Sequence, residues 1–162
     1  MSEHYGTRIT TQYSNAKAVS DWTRDADLVV GAVLVAGGRA PVLVREEHIK
    51  AMKPGSVVVD ISIDQGGCFA TSHETTHADP TYVVDDVVHY AVGNIPGAVP
   101  HTSTWALTNA TMHYATALAD GLDSAIGRFP ELVAGINTKN GKITNEPVAK
   151  SLGESFVPVS AA

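Results

Sequence analysis

Asp64 stands just beyond Ser56–Ile61 (SVVVDI), an apolar run that reads as a buried strand. A carboxylate placed where a parallel strand ends lies where open α/β sheets bind their ligands. Ionised beside a bound molecule, such a group can stabilise an ammonium or iminium and help orient water. Read by itself, Asp64 is more readily a loop carboxylate capping a turn. Asp60 lies inside the strand and reads as well as a structural carboxylate bonded to neighbouring backbone. Gly66-Gly67 permits positive φ or close backbone approach, and equally an ordinary turn. His73 and His77 have the i, i+4 spacing that binds zinc on a helix, but they flank Thr75-Thr76 in a loop-like stretch and lack a third ligand. No metal site is assigned. His101 and His113 offer imidazoles that could act as bases. Cys68 reads as a small buried side chain, since a catalytic thiol needs a histidine partner that the sequence does not reveal.

These residues need a scaffold, and the first third of the chain supplies an alternating one. Arg8–Tyr13 (RITTQY) is β-branched and reads as a strand. Ser14 and Asn15 offer cap chemistry before a helix over AKAVSDWTRDA. Asp27–Val35 (DLVVGAVLV) reads as a strand buried on both faces, Leu43–Met52 as a helix, and Ser56–Ile61 as the next buried strand. Strand, helix, strand, helix, strand implies a parallel sheet with right-handed connections. Asp64–Asp79 reads as a loop, Thr81–Val84 as extended chain and His89–Val92 as a further strand. Gly93–Pro100 is irregular. Thr102–Leu122 is a long helix with Ser103 as its cap and Leu107, Ala110, Tyr114, Ala117 and Leu118 as its apolar stripe, although seven Ser, Thr and Asn residues weaken it. Asn140-Gly141 marks a hairpin within Ile136–Ile143, Glu146–Leu152 reads as a helix ended by Gly153, and the last residues read as frayed.

Composition sets the outer bounds. The 162 residues suit one domain or one and a fraction, with 17 Asp and Glu against 11 Lys and Arg, a net charge of −6. No basic stripe is available to neutralise phosphates, which argues against nucleic-acid binding. A single cysteine excludes an intrachain disulfide and fits a reducing cytosol. MSEHYGTRITTQ has no apolar segment of the signal-peptide kind, and no apolar run reaches the length of a membrane span. The expectation is a cytoplasmic protein without membrane contact. Neither G-x-G-x-x-G nor G-x-x-x-x-G-K-[ST] occurs, so the sheet is either small in its own right or the second half of a larger one.

Several blocks together resemble the alanine dehydrogenases: Met52-Lys53-Pro54-Gly55 followed by Asp60–Phe69 (DISIDQGGCF), Asp27–Leu34 (DLVVGAVL), Asn94–Pro100 (NIPGAVP) and Thr102–Thr111 (TSTWALTNAT). The resemblance runs from about Arg8 to about Val157. The DISIDQGGCF block is shared in part with the nicotinamide nucleotide transhydrogenases, while TSTWALTNAT leans toward alanine dehydrogenase. The family interconverts L-alanine with pyruvate and ammonia, using NAD, in a cleft between a substrate domain and a Rossmann domain. The implied fold class is α/β, a partial, doubly wound Rossmann-like parallel sheet (its second half) plus a long helix and a short C-terminal segment. Residues 1–100 would form the C-terminal half of the NAD domain, and residues 101–162 the connecting helix and a piece of the substrate domain.

The family's catalytic aspartate maps onto Asp64. The resemblance puts Val33 and Leu34 against the adenosine side of NAD and Ser14 near the adenine. It sets Ile61, Ser62 and Ile63 against the nicotinamide riboside, and Val92, Gly93, Asn94 and Ile95 at another strand end, where Asn94 could bond the nicotinamide amide or ribose. His73 aligns near NAD at a position that is usually arginine, which puts its role in doubt. For Ser14 a helix cap, for Val33 and Leu34 core packing, and for Asn94 a simple turn are competing readings. The family's arginine, lysine and histidine for pyruvate binding and catalysis have no counterpart here, nor has its glycine fingerprint, so the chain looks like the C-terminal part and is expected to be inactive alone. A homo-oligomer, or association with the missing N-terminal part, is expected. The alternatives are a non-catalytic NAD-binding or docking subunit and a transhydrogenase-related protein.

Overall fold

The computed structural model describes residues 5–162; the first four residues of MSEHYGTRITTQ lie outside the described residues. The chain divides into two compact units, one holding the residues up to Leu34 together with Ala40–Gly93, the other Val35–Arg39 with Asn94–Ala162.

The first unit is a mixed α/β layer. Helix α1 (Ala16–Asp25) leads into β1 (Leu28–Gly31), and the short helix α2 (Glu46–Lys50) separates β1 from β2 (Val57–Asp60). A hairpin of β3 (Thr81–Val84) and β4 (Val87–Tyr90) completes a four-stranded sheet in the order β1-β2-β4-β3. β1, β2 and β4 run parallel, with Gly31 opposite Asp60 and Val57 opposite Val88, and β3 is antiparallel to β4. Asn15 starts α1, its Oδ1 accepting from the Ala18 N–H at 2.8 Å. Val44, Ile49, Met52, Val58, Phe69 and Val87 form the core between sheet and helices.

Four expectations for this unit change, the first being that the Leu43–Met52 helix spans only Glu46–Lys50. Arg8–Tyr13 is no strand: a single 3-10 turn spans Gly6–Arg8, irregular chain follows, and Tyr13 is 95 % exposed. β-branched residues favour a strand only where a neighbouring ladder and a buried face receive them, and β1 pairs with β2 alone among the described residues. For the same reason the long apolar run shrinks to Leu28–Gly31, and Leu28 and Val30 of this edge strand are exposed, not buried on both faces. The last strand begins at Val87 instead of His89, because Asp85-Asp86 closes a tight hairpin with both residues at positive φ, 49° and 61°.

The second unit is mostly helical. Helix α3 (Pro100–Ala119) is followed by α4 (Leu122–Arg128), by the small hairpin of β5 (Thr138–Lys139) and β6 (Lys142–Ile143), and by α5 (Glu146–Leu152). The long helix begins two residues before the expected Thr102 because proline suits its first position, where an N–H has no partner in any case. Ser103 is not the cap; its hydroxyl donates to the Pro96 carbonyl at 2.8 Å. Of the expected stripe only Ala117 is buried, and Leu107 is 66 % exposed. Asn140-Gly141 makes the expected hairpin turn. The tail is tied instead of frayed: the Val157 N–H donates to the Ile143 carbonyl at 2.9 Å, and Lys139 Nζ to the Val159 carbonyl at 3.1 Å.

Candidate functional site

The carboxyl end of β2 is organised by Asp60, which is 1 % exposed. Its Oδ1 accepts from the Ser62 N–H at 3.0 Å, and its Oδ2 from the N–H groups of Cys68 at 2.9 Å and Phe69 at 3.4 Å. One carboxylate thus pins both ends of the loop that holds Asp64. Asp64 lies in the 3-10 turn Ile63–Gln65 with its side chain exposed. Both glycines that follow have positive φ, and a Cβ on Gly67 would come within 2.8 Å of Asp60 Oδ2. The pair is therefore required by backbone conformation and, at Gly67, by space. Cys68 is buried beside Asp60; burial first, then the neighbouring carboxylate, push its thiol up to about 11, which leaves it protonated and unreactive.

β1 ends against this loop. The Ser62 hydroxyl accepts from the Val33 N–H at 2.7 Å and donates to the Val33 carbonyl at 2.9 Å. Leu34 and Ile61 stand exposed at the two strand ends, 78 % and 50 %, while Ser62 and Ile63 are buried. The Ser62 backbone is engaged within the loop, its N–H held by Asp60 and its carbonyl accepting from the N–H groups of Gln65 at 2.9 Å and Gly67 at 3.0 Å.

At the end of β4, Val92 is fully buried, and the chain at 73–75 runs beside it. The Thr75 N–H donates to the Ala91 carbonyl at 2.9 Å, and the Gly93 N–H to the Thr75 carbonyl at 3.1 Å. A Cβ on Gly93 would overlap the Glu74 carboxylate. His73 is exposed, stacks on Tyr82 with ring centres 3.7 Å apart, and donates its backbone N–H to the Tyr82 oxygen at 2.9 Å. Tyr82 in turn donates to the Thr71 carbonyl and stacks on His89, opposite it across the hairpin. His89 Nδ1 lies 2.9 Å from the Val87 carbonyl, which can only accept, so Nε2 accepts from the Thr71 hydroxyl at 2.7 Å. Burial of this imidazole lowers its pKa from the ordinary histidine value. Sequence reasoning missed this Thr71, Tyr82 and His89 support, because only the β3–β4 register sets Tyr82 against His89.

The structure thus brings Val33, Leu34, Ile61–Asp64, His73, Val92 and Gly93 to strand ends of the first unit. Ser14 heads α1 and lines a shallow groove of about 290 Å³ with Tyr13 and Trp22; the cap belongs to Asn15. Asn94 and Ile95 belong to the second unit, where Asn94, at φ 53°, heads the turn Ile95–Ala98. A groove of about 630 Å³ there is lined by Asn94, Pro96, Thr104 and Leu107 among others. His73 and His77 are not helical, and His101 and His113 lie on α3, His101 edge-on to Trp105 and His113 against Tyr114 and Phe129. Among the described residues no helix is long and apolar enough to cross a membrane.

Comparison with known proteins gives one consistent result. The family described as alanine dehydrogenase/PNT, C-terminal domain, matches residues 1–146. The chain is similar to the alanine dehydrogenase of Halomonas elongata, 49 % identical over 99 % of this chain and 44 % of that protein. It is similar also to that of Bacillus subtilis, 50 % identical over 100 % of this chain and 43 % of that protein. A solved L-alanine dehydrogenase covers 94 % of this chain with TM-score 0.76 at 41 % identity, using 42 % of its own length. A transhydrogenase from Sinorhizobium meliloti covers 64 %, and 29 % of its own length, with TM-score 0.55 at 28 % identity. The chain spans less than half the length of these relatives.

Proposed function

The chain belongs to the alanine dehydrogenase/PNT family, and on that premise we propose that it carries the C-terminal part of an NAD-dependent L-alanine dehydrogenase. The reaction is oxidative deamination of L-alanine to pyruvate and ammonia. The observation that carries this reading is the pinned loop: Asp60 fixes both ends of the family-like block, and the carboxylate of Asp64 is presented where a parallel strand ends. The wider and closer likeness to alanine dehydrogenase, against the partial likeness to transhydrogenase, favours this over the transhydrogenase alternative.

The residues present fit the two ends of the cofactor and not its middle. Exposed Leu34 and Ile61 offer apolar surface to planar rings at adjacent strand ends, whereas the glycine turn that cradles a pyrophosphate does not occur in the sequence. Bound NAD supplies the hydride acceptor. The residues of this chain bind and orient. Val33 and Leu34 face the adenosine side, with Ser14 near the adenine. Backbone at Ile61–Ile63 and at Val92–Gly93 borders the nicotinamide riboside, with His73 at its margin. The Asp64 carboxylate stabilises positive charge at the substrate nitrogen and orients water toward the carbon it leaves.

Assembly into a homo-oligomer, or with the part of the relatives that this chain does not span, belongs to the same reading, since the cations that bind pyruvate are not in the sequence. The test uses the purified chain with NADH fluorescence and an alanine-dependent assay. The expected result is NADH binding without alanine-dependent NADH formation. No binding at millimolar NADH overturns the nucleotide reading. Turnover at an ordinary enzyme rate overturns the dependence on residues outside the chain.

A further inference from the structure

The β1–β2 ladder does not simply stop where the two strands part. Gly31 is opposite Asp60, and the Ile61 N–H still donates to the Gly31 carbonyl at 2.8 Å. Continued in that register, the next parallel rung would pair the Val33 N–H with the Ile61 carbonyl and the Val33 carbonyl with the Ile63 N–H. Ile63 instead turns into the 3-10 turn that holds Asp64. Both backbone groups of Val33 are taken by a single atom, Ser62 Oγ, at 2.7 and 2.9 Å. Ser62 is 5 % exposed, and its own N–H is held by Asp60 Oδ1, so this hydroxyl has little freedom to move.

We propose that Ser62 is a positioning residue, a one-atom rung that carries the register of the sheet past the end of its ladder and sets Val33–Leu34 at a fixed spacing from Ile61–Asp64. It rests on the reading above, in which these two segments face the adenosine and nicotinamide sides of one dinucleotide. A ligand that touches both segments depends on their spacing; a ligand that touches only one does not. Substituting alanine leaves the Val33 N–H and carbonyl without their partner while removing one atom from the interior.

The experiment compares wild type, Ser62→Ala and Ser62→Thr by amide hydrogen exchange, and by titration with NADH and with AMP, after circular dichroism shows each variant folded. In Ser62→Ala the Val33 amide is expected to exchange at least tenfold faster with β2 unchanged, NADH affinity to fall about tenfold, and AMP affinity to stay within twofold. Thr keeps the hydroxyl, and where it folds it restores both readouts. Unchanged Val33 exchange in Ser62→Ala overturns the rung. Faster exchange with NADH and AMP weakened alike, or with neither weakened, reduces Ser62 to a structural contact and overturns the positioning role. If wild type binds no NADH, the cofactor reading falls and the rung is decided by Val33 exchange alone.

Discussion

The loop after β2 and the helix α3 are both built from residues of the blocks that resemble one family, yet they are organised in opposite ways. In the loop, Asp60, Ile63, Cys68 and Phe69 are buried, and backbone donors converge on one carboxylate. On α3, twenty residues long, only Ala117 is buried, while Trp105, Leu107 and Met112 stand more than half exposed. The loop owes its shape to contacts between residues distant in sequence. The helix is held by hydrogen bonds between near neighbours in sequence and has few buried contacts among the described residues. The difference teaches where substitutions will be felt: the loop is intolerant of small changes, and the exposed helices of the second unit are tolerant of larger ones.

The strongest way to break this contrast is Asp60→Ala, which strands three buried N–H groups; a loss of about 4 kcal/mol is expected, read from urea unfolding. A stability within 0.5 kcal/mol of wild type, on the order of a neutral surface change, would show that the loop holds itself without its anchor. Next comes a matched pair of glycines. A Cβ on Gly31 would overlap Cys68 Sγ and the Phe69 ring, so Gly31→Ala is expected to destabilise by about 2–3 kcal/mol. Gly127 in α4 has open space around it and is not at positive φ, so Gly127→Ala is expected to stabilise that helix by about 0.5–1 kcal/mol. Hydrogen exchange of the α4 amides measures this gain, and equal effects at the two glycines would erase the distinction.

The gentlest perturbation is a proton. His89 is buried neutral, with its pKa lowered below the ordinary 6.5 by burial. Its contribution to stability is therefore fully present above about pH 6.5 and is lost as the pH falls through that value toward the lower folded pKa, where the unfolded chain binds the extra proton. The urea midpoint is expected to drop between pH 7.5 and 5.5, and to drop less in His89→Gln. An identical drop in both proteins would place the titration elsewhere.

Much of the fold was legible because its signals are local. The cap at Asn15, the positive-φ turn at Asn140-Gly141 and the stop at Gly153 are each set by the chemistry of one or two side chains. The parallel pairing of β1 with β2 followed from apolar runs separated by a helix. The edge position of β1 was not legible, since an apolar run cannot announce that one neighbour is missing. The site was legible in part. The residue types around Asp64 stood out, whereas Thr71, Tyr82 and His89 carried no pattern of their own.

What the sequence determined by itself is the caps, the turns and the apolar runs that become β1 and β2, together with the block of residues able to do chemistry, because such signals act over a few residues. Only the tertiary structure decided what each polar group does. Asp60 became an anchor because burial left three backbone donors with no other acceptor, and Ser62 became a rung because two strands part where its hydroxyl lies. Such assignments depend on which groups folding removes from water together, and no spacing along the chain encodes that.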